Sequence, residues 1–132
     1  GQPPPQGRGR VLVMDDEPAV LQLLAKALEK LGYEAIMTES GQDAVHACRL
    51  ALKENRPCDA AILDLTVPGG MGGVQALAAL RDLAPELRAV VSSGYSRDPI
   101  LADYRSHGFQ GILPKPYSIR DLALVLAEVI PA

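Results

Sequence analysis

The chain has no Trp and a single Phe, and with four Tyr its aromatic share is only 4%. Its core must therefore be aliphatic, assembled from Leu, Val, Ile and Ala. Cysteine is almost as scarce. Cys48 and Cys58 stand ten apart, which is no metal-ligand spacing, and nothing resembling a secretory signal precedes them. They read as reduced thiols, one on a helix and one before a strand, and point to a cytoplasmic location. No apolar run approaches the ~18 residues that span a bilayer, so this domain makes no membrane contact, and any anchor belongs to a longer parent protein. Positive charge is not concentrated either. Thirteen Lys and Arg against sixteen Asp and Glu leave a net charge of −3 with both signs dispersed, which excludes a basic face for nucleic acid.

What is present fits one globular domain: 132 residues, 48% hydrophobic and 22% charged. Residues 1–9 are Pro, Gly, Gln and Arg with almost no apolar side chains, a linker or expression remnant, and the domain is expected over residues 10–132. Val11 to Met14 forms a buried strand that stops at Asp15, Asp16, Glu17 and Pro18. Leu21, Leu24, Leu28 and Leu31 then recur at helical spacing up to Gly32. Glu34 to Met37 predicts a second strand and Gly41 to Asn55 a second helix, which Pro57 ends.

The run Ala60-Ala61-Ile62-Leu63 predicts a strand buried on both faces, ending at Asp64 and a loop rich in glycine. A third helix carries Val74, Leu77 and Leu80, and a fourth strand from Arg88 ends at Ser93-Gly94. A short helix with Ile100, Leu101 and Tyr104 ends at Gly108, and a fifth strand, Gln110 to Leu113, runs into Pro114-Lys115-Pro116. The last helix, opened by Asp121, buries Leu122, Leu126 and Val129. Five strand-helix units predict an α/β fold, a (βα)5 doubly wound parallel sheet with the flavodoxin-like strand order 2-1-3-4-5.

A parallel sheet delivers all its strand ends to one rim. Asp15, Asp16, Asp64, Ser93 and Lys115 should therefore converge there, although a hundred residues separate the first from the last. Three neighbouring carboxylates repel one another unless a cation lies among them, and Mg2+ suits all-oxygen donors. A hydroxyl and an ammonium beside them suit the remaining oxygens of a phosphoryl group. Each residue alone has a plainer explanation. Asp64 caps a turn, Asp16 complements a helix N-terminus, Ser93 is a turn hydroxyl and Lys115 a solvated charge. His46 and His107 read as ordinary helix residues. The ordered set is what carries information.

The segments VLVMDDEP, ILDLTVPGGMGG, VVSSGYS and LPKPYS resemble the receiver domain of two-component response regulators and hybrid histidine kinases, over about residues 10–131. The resemblance implies Asp64 as acceptor of a phosphoryl group from a phosphohistidine on a histidine kinase or histidine phosphotransfer domain. It implies Mg2+ bound by Asp16 directly, by Asp15 through water, by Asp64 and by the backbone carbonyl of Thr66. Ser93 becomes the switch hydroxyl and Lys115 the phosphoryl-contacting lysine, with a cis bond to Pro116. Two departures stand out. The loop after the acceptor carries an extra residue and lacks the family's Asp, and Ile112 replaces an aromatic residue that moves on phosphorylation. The loop and the Leu-Pro-Lys-Pro ending most resemble receivers of hybrid sensor histidine kinases. The alternatives are a stand-alone single-domain response regulator and a Mg2+-dependent Asp-nucleophile phosphohydrolase. The second of these needs another acid near the nucleophile, which Leu65 and Thr66 do not supply. A vestigial interaction module is disfavoured by the intact residue set, and a flavin site by the acidic loop after strand one.

Overall fold

A computed structural model describes residues 2–95 and 97–131. Five parallel strands pair in the order β2-β1-β3-β4-β5. They are β1 (Gly9–Met14), β2 (Tyr33–Thr38), β3 (Ala60–Asp64), β4 (Arg88–Ser93) and β5 (Gly111–Pro114). The helices are α1 (Pro18–Leu31), α2 (Gly41–Lys53), α3 (Gly73–Leu83), α4 (Pro99–Ala102) and α5 (Ile119–Val129). This is the flavodoxin-like (βα)5 arrangement expected from the strand-helix alternation.

Two cores, one on each face, explain why the central strands are apolar throughout. Val11 and Val13 of β1, Ala60 and Ile62 of β3 and Val90 of β4 pack against Leu21, Leu24 and Leu28 of α1 and Leu122 and Leu126 of α5. The alternate residues Leu12, Met14, Ala61, Leu63, Ala89 and Val91 face Ala44 and Cys48 of α2 and Ala76, Leu77 and Leu80 of α3. The two-residue period of a strand sends neighbours to opposite faces, so a continuous apolar run is the signature of a sheet covered on both sides. Each Leu fully withdrawn from water in these layers contributes about 2 kcal/mol. Burial also pushes the Cys58 thiol up to about 11 and raises that of Cys48, in keeping with two inert cysteines.

Several boundaries differ from expectation, each for a local reason. β1 begins at Gly9, inside the predicted linker, because Gly9 pairs with Tyr33, and the Gly7 amide donates to the Leu31 carbonyl at 2.8 Å. β2 is longer than Glu34 to Met37 at both ends, since register with β1 extends to Thr38. α2 stops at Lys53, before Asn55, whose φ of 58° is left-handed. The helix expected around Ile100 and Tyr104 is one α turn followed by a 3-10 turn, Tyr104–His107, which Gly108 ends at φ 93°. α5 is opened by Ser118, whose hydroxyl accepts from the Asp121 amide, while the Asp121 carboxylate accepts from the Ser118 amide. Asp121 is therefore the third residue of a capping box, a role its acidity alone does not distinguish from the cap.

Candidate functional site

Four strand ends, those of β1, β3, β4 and β5, meet in an open cavity of about 280 Å3 at the carboxyl edge of the sheet, lined by Asp16, Glu17, Asp64, Thr66, Ser93 and Lys115 among others. Asp15 lies beneath it, buried at 2% exposure, and Asp64 is 5% exposed. Asp15 is held by backbone on either side. Its amide donates to the Thr38 carbonyl at 3.1 Å, and its Oδ1 accepts the Glu17 amide at 2.9 Å. Thr38 is fixed in turn by its hydroxyl, which donates to the Val13 carbonyl at 2.7 Å. The end of β2 thus braces the acidic end of β1, a role sequence reasoning did not assign because Thr38 carries no charge.

Lys115 joins the carboxylates. Its Nζ lies 2.8 Å from Asp15 Oδ2, 3.3 Å from Glu17 Oε1 and 3.6 Å from Asp64 Oδ2. The Lys115–Pro116 peptide bond is cis. Burial works against the ammonium, but the hydrogen bond to Asp15 and the charges of Asp64 and Asp15 outweigh it and hold the Lys115 pKa above its ordinary value. For Asp64 the balance goes the other way. Burial first, then the charge of Asp15, push its pKa up to about 6, against the lowering effects of Lys115 and of the Thr66 amide. One ammonium does not offset the desolvation and mutual repulsion of these acids.

The loop after Asp64 closes tightly over the strand end. The Gly73 amide donates to the Leu65 carbonyl at 3.1 Å, and a Cβ on Gly73 would lie 2.8 Å from the Asp64 carbonyl oxygen. Glycine is needed there for that close approach of backbone to backbone. Thr66 is exposed, and its amide lies 3.4 Å from Asp64 Oδ1. Ser93 is buried, with its hydroxyl turned to its own loop: Oγ accepts the Tyr95 amide at 3.0 Å and donates to the Tyr95 carbonyl at 3.4 Å. Ile112 is half-buried, packed with Tyr104 against the core on the α3 side.

Asp15, Asp16 and Glu17 each bring a carboxylate oxygen into a group spanning no more than 4.8 Å. Anionic oxygen donors gathered so closely fit a hard divalent ion such as Mg2+ rather than a thiophilic metal. Glu17 is a member of this group that the sequence suggested only as the start of a helix. Its position next to the acid pair was the available signal. Tyr117 also escaped notice: its hydroxyl is buried and unpaired among the described residues, and burial, then the charge of Asp15, push its pKa up to about 12 despite Lys115.

The chain and its fold have counterparts among known proteins. The family model for the response regulator receiver domain matches residues 11–127. The sensor kinase CckA of Brucella abortus is 30% identical over 124 residues, 94% of this chain and 13% of the kinase. A response regulator receiver protein of Anaeromyxobacter sp. (strain Fw109-5) is 33% identical over 110 residues, 83% of this chain and 44% of that protein. The chain thus spans less than half the length of either relative. A receiver domain protein from Clostridium thermocellum superposes with a TM-score of 0.80 at 23% identity, over 92% of this chain and 94% of that one, and shows the same fold. With a family match over residues 11–127 and a five-stranded parallel sheet in the order β2-β1-β3-β4-β5, the chain belongs to the response regulator receiver domains of two-component signalling.

Proposed function

We propose that the domain is the phosphoacceptor of a phosphorelay, taking a phosphoryl group from a phosphohistidine of a histidine kinase or histidine phosphotransfer domain onto Asp64. The observation that carries this reading is the placement of Asp64, nearly buried at the cavity floor with the Lys115 ammonium 3.6 Å away and Ser93 at the adjacent strand end. With a pKa near 6, Asp64 at pH 7 is mainly the carboxylate, the nucleophilic form. Its oxygen would form the new P–O bond as the P–N bond of the phosphohistidine breaks, the electron pair returning to the imidazole nitrogen. Lys115 would neutralise one phosphoryl oxygen, and the Ser93 hydroxyl would turn from Tyr95 to donate to another. Asp15, Asp16, Asp64 and the Thr66 carbonyl would hold Mg2+, which when bound supplies charge neutralisation for the phosphoryl oxygens.

The match to a sensor kinase supports placement of the domain in a hybrid sensor histidine kinase of the cytoplasm, where the residues before β1 would serve as tether. The match to a response regulator receiver protein supports a regulator without a kinase module as the second reading. Incubation with Mg2+ and acetyl phosphate should add one phosphoryl group to the intact mass, and Asp64→Asn should remove the addition. Undiminished labelling of that variant would assign the acceptor elsewhere.

A further inference from the structure

Lys115 is held on its solvent side by Glu17, which besides its place in the close carboxylate group is not one of the four Mg2+ ligands proposed above. An ammonium has three N–H groups, and at Lys115 carboxylate oxygens of Asp15, Glu17 and Asp64 surround it at 2.8, 3.3 and 3.6 Å. A phosphoryl oxygen reaches Lys115 only by displacing one of them. Asp15 and Asp64 are walled in, with side chains 3% and 7% exposed, whereas the Glu17 side chain is 60% exposed at the cavity mouth. Its backbone is also the more firmly fixed part. The Glu17 amide donates to Asp15 Oδ1, and Pro18 follows as the first residue of α1. Displacement therefore needs only a side-chain swing.

We infer that Glu17 is a positioning residue that acts through Lys115: its carboxylate draws the ammonium toward the cavity mouth, competes for it with the incoming phosphoryl group, and so disfavours highly charged phosphodonors. The inference rests on Asp64 being the acceptor. Like charge at the mouth of a cleft acts twice, lowering the local concentration of an anion and raising the cost of taking Lys115 from its partner. Both effects grow with donor charge, so dianionic acetyl phosphate is opposed more than monoanionic phosphoramidate.

The test is Glu17→Gln, which keeps size and removes charge, in the full 132-residue chain with Mg2+ at pH 7. Labelling by acetyl phosphate should accelerate about threefold to tenfold, the range expected for one charge at partly solvated distances. Phosphoramidate should gain less, both gains should shrink in high salt, and Glu17→Asp should stay near the parent rate. Without any donor, the 15N-labelled Lys115 ammonium signal should move in Glu17→Gln. A labelled parent whose acetyl phosphate rate does not rise in the variant overturns the role of Glu17 alone, as does an equal gain for both donors or an unmoved Lys115 signal. A parent labelled by neither donor overturns the assignment of Asp64, and with it any action of Glu17 on a phosphoryl group.

Discussion

Lys115→Met is expected to cost the metal-free protein about 3–5 kcal/mol at pH 7, the range seen when one partner of a buried ion pair is removed. The side chain is long, apolar and close to lysine in shape, so packing is largely kept and the loss reports on charge. Asp15 and Asp64 would then face each other at the floor of the site with no ammonium between them, each almost closed to water. In the parent the lysine pKa is raised, so its contribution is fully present at pH 7 and disappears only as pH climbs through the folded-state value. On the acid side the penalty of the variant should shrink, because Asp64 already protonates near pH 6 with Lys115 present and would do so at higher pH without it. Mg2+ should recover part of the loss by placing another cation among the carboxylates. Urea midpoints in EDTA at pH 7 and pH 4.5 measure this directly. A loss at pH 7 below about 1 kcal/mol, the ordinary worth of an exposed pair, would mean that Lys115 is solvated and does not bind the site together.

That cluster also marks where sequence reasoning reaches its limit. Strand ends are legible because apolar runs locate strands to within a residue or two, and a parallel sheet must bring Asp15, Asp64, Ser93 and Lys115 to one edge. What a strand end cannot convey is the last few ångströms. Glu17 and Lys115 are 98 apart in the chain, and their contact depends on the rotamers of two long side chains and on the path of the turn after β5. Thr38 was missed for the opposite reason. It acts through its backbone carbonyl and a hydroxyl bond to Val13, and neither carries a charge pattern. Between α4 and Gly108 the apolar spacing of Ile100, Leu101 and Tyr104 suits an α-helix, yet the segment has room for one turn of each kind. A helix this short gains too little from propagation to impose its period, so packing of Leu101 and Phe109 decides its path. Ser118 and Asp121 show a third kind of limit: both are good capping residues, and only the reciprocal hydrogen bonds distinguish cap from third position.

The same balance of charge that makes Lys115 necessary makes Asp64 a burden on the unliganded fold. Its folded-state pKa of about 6 lies above the ordinary carboxyl value of 3.8, so the native state binds this proton more tightly than the unfolded chain does. Below the unfolded pKa both states hold the proton and Asp64 contributes nothing. As pH rises from 4 to 6 only the unfolded chain ionises freely, and native stability falls. Above pH 6 the full penalty is present, on the order of 3 kcal/mol. Asp64→Asn keeps the shape and removes the titration, so at pH 7 in EDTA the variant should be more stable than the parent by as much as ~3 kcal/mol, a melting-temperature gain of roughly 10 °C for a domain this size. The gain should vanish at pH 3.5. It should also shrink in saturating Mg2+, because the parent gains from the ion by relief of repulsion and the variant has less repulsion to relieve. Lys115 and Asp64 share one network, so the double variant should lose less than the two single changes sum to. Thermal melts of the four proteins at pH 3.5 and pH 7, with and without Mg2+, close this cycle. A destabilised Asp64→Asn at pH 7 in EDTA would show that Lys115 more than compensates the Asp64 carboxylate, and that this site is built for stability of the unliganded fold.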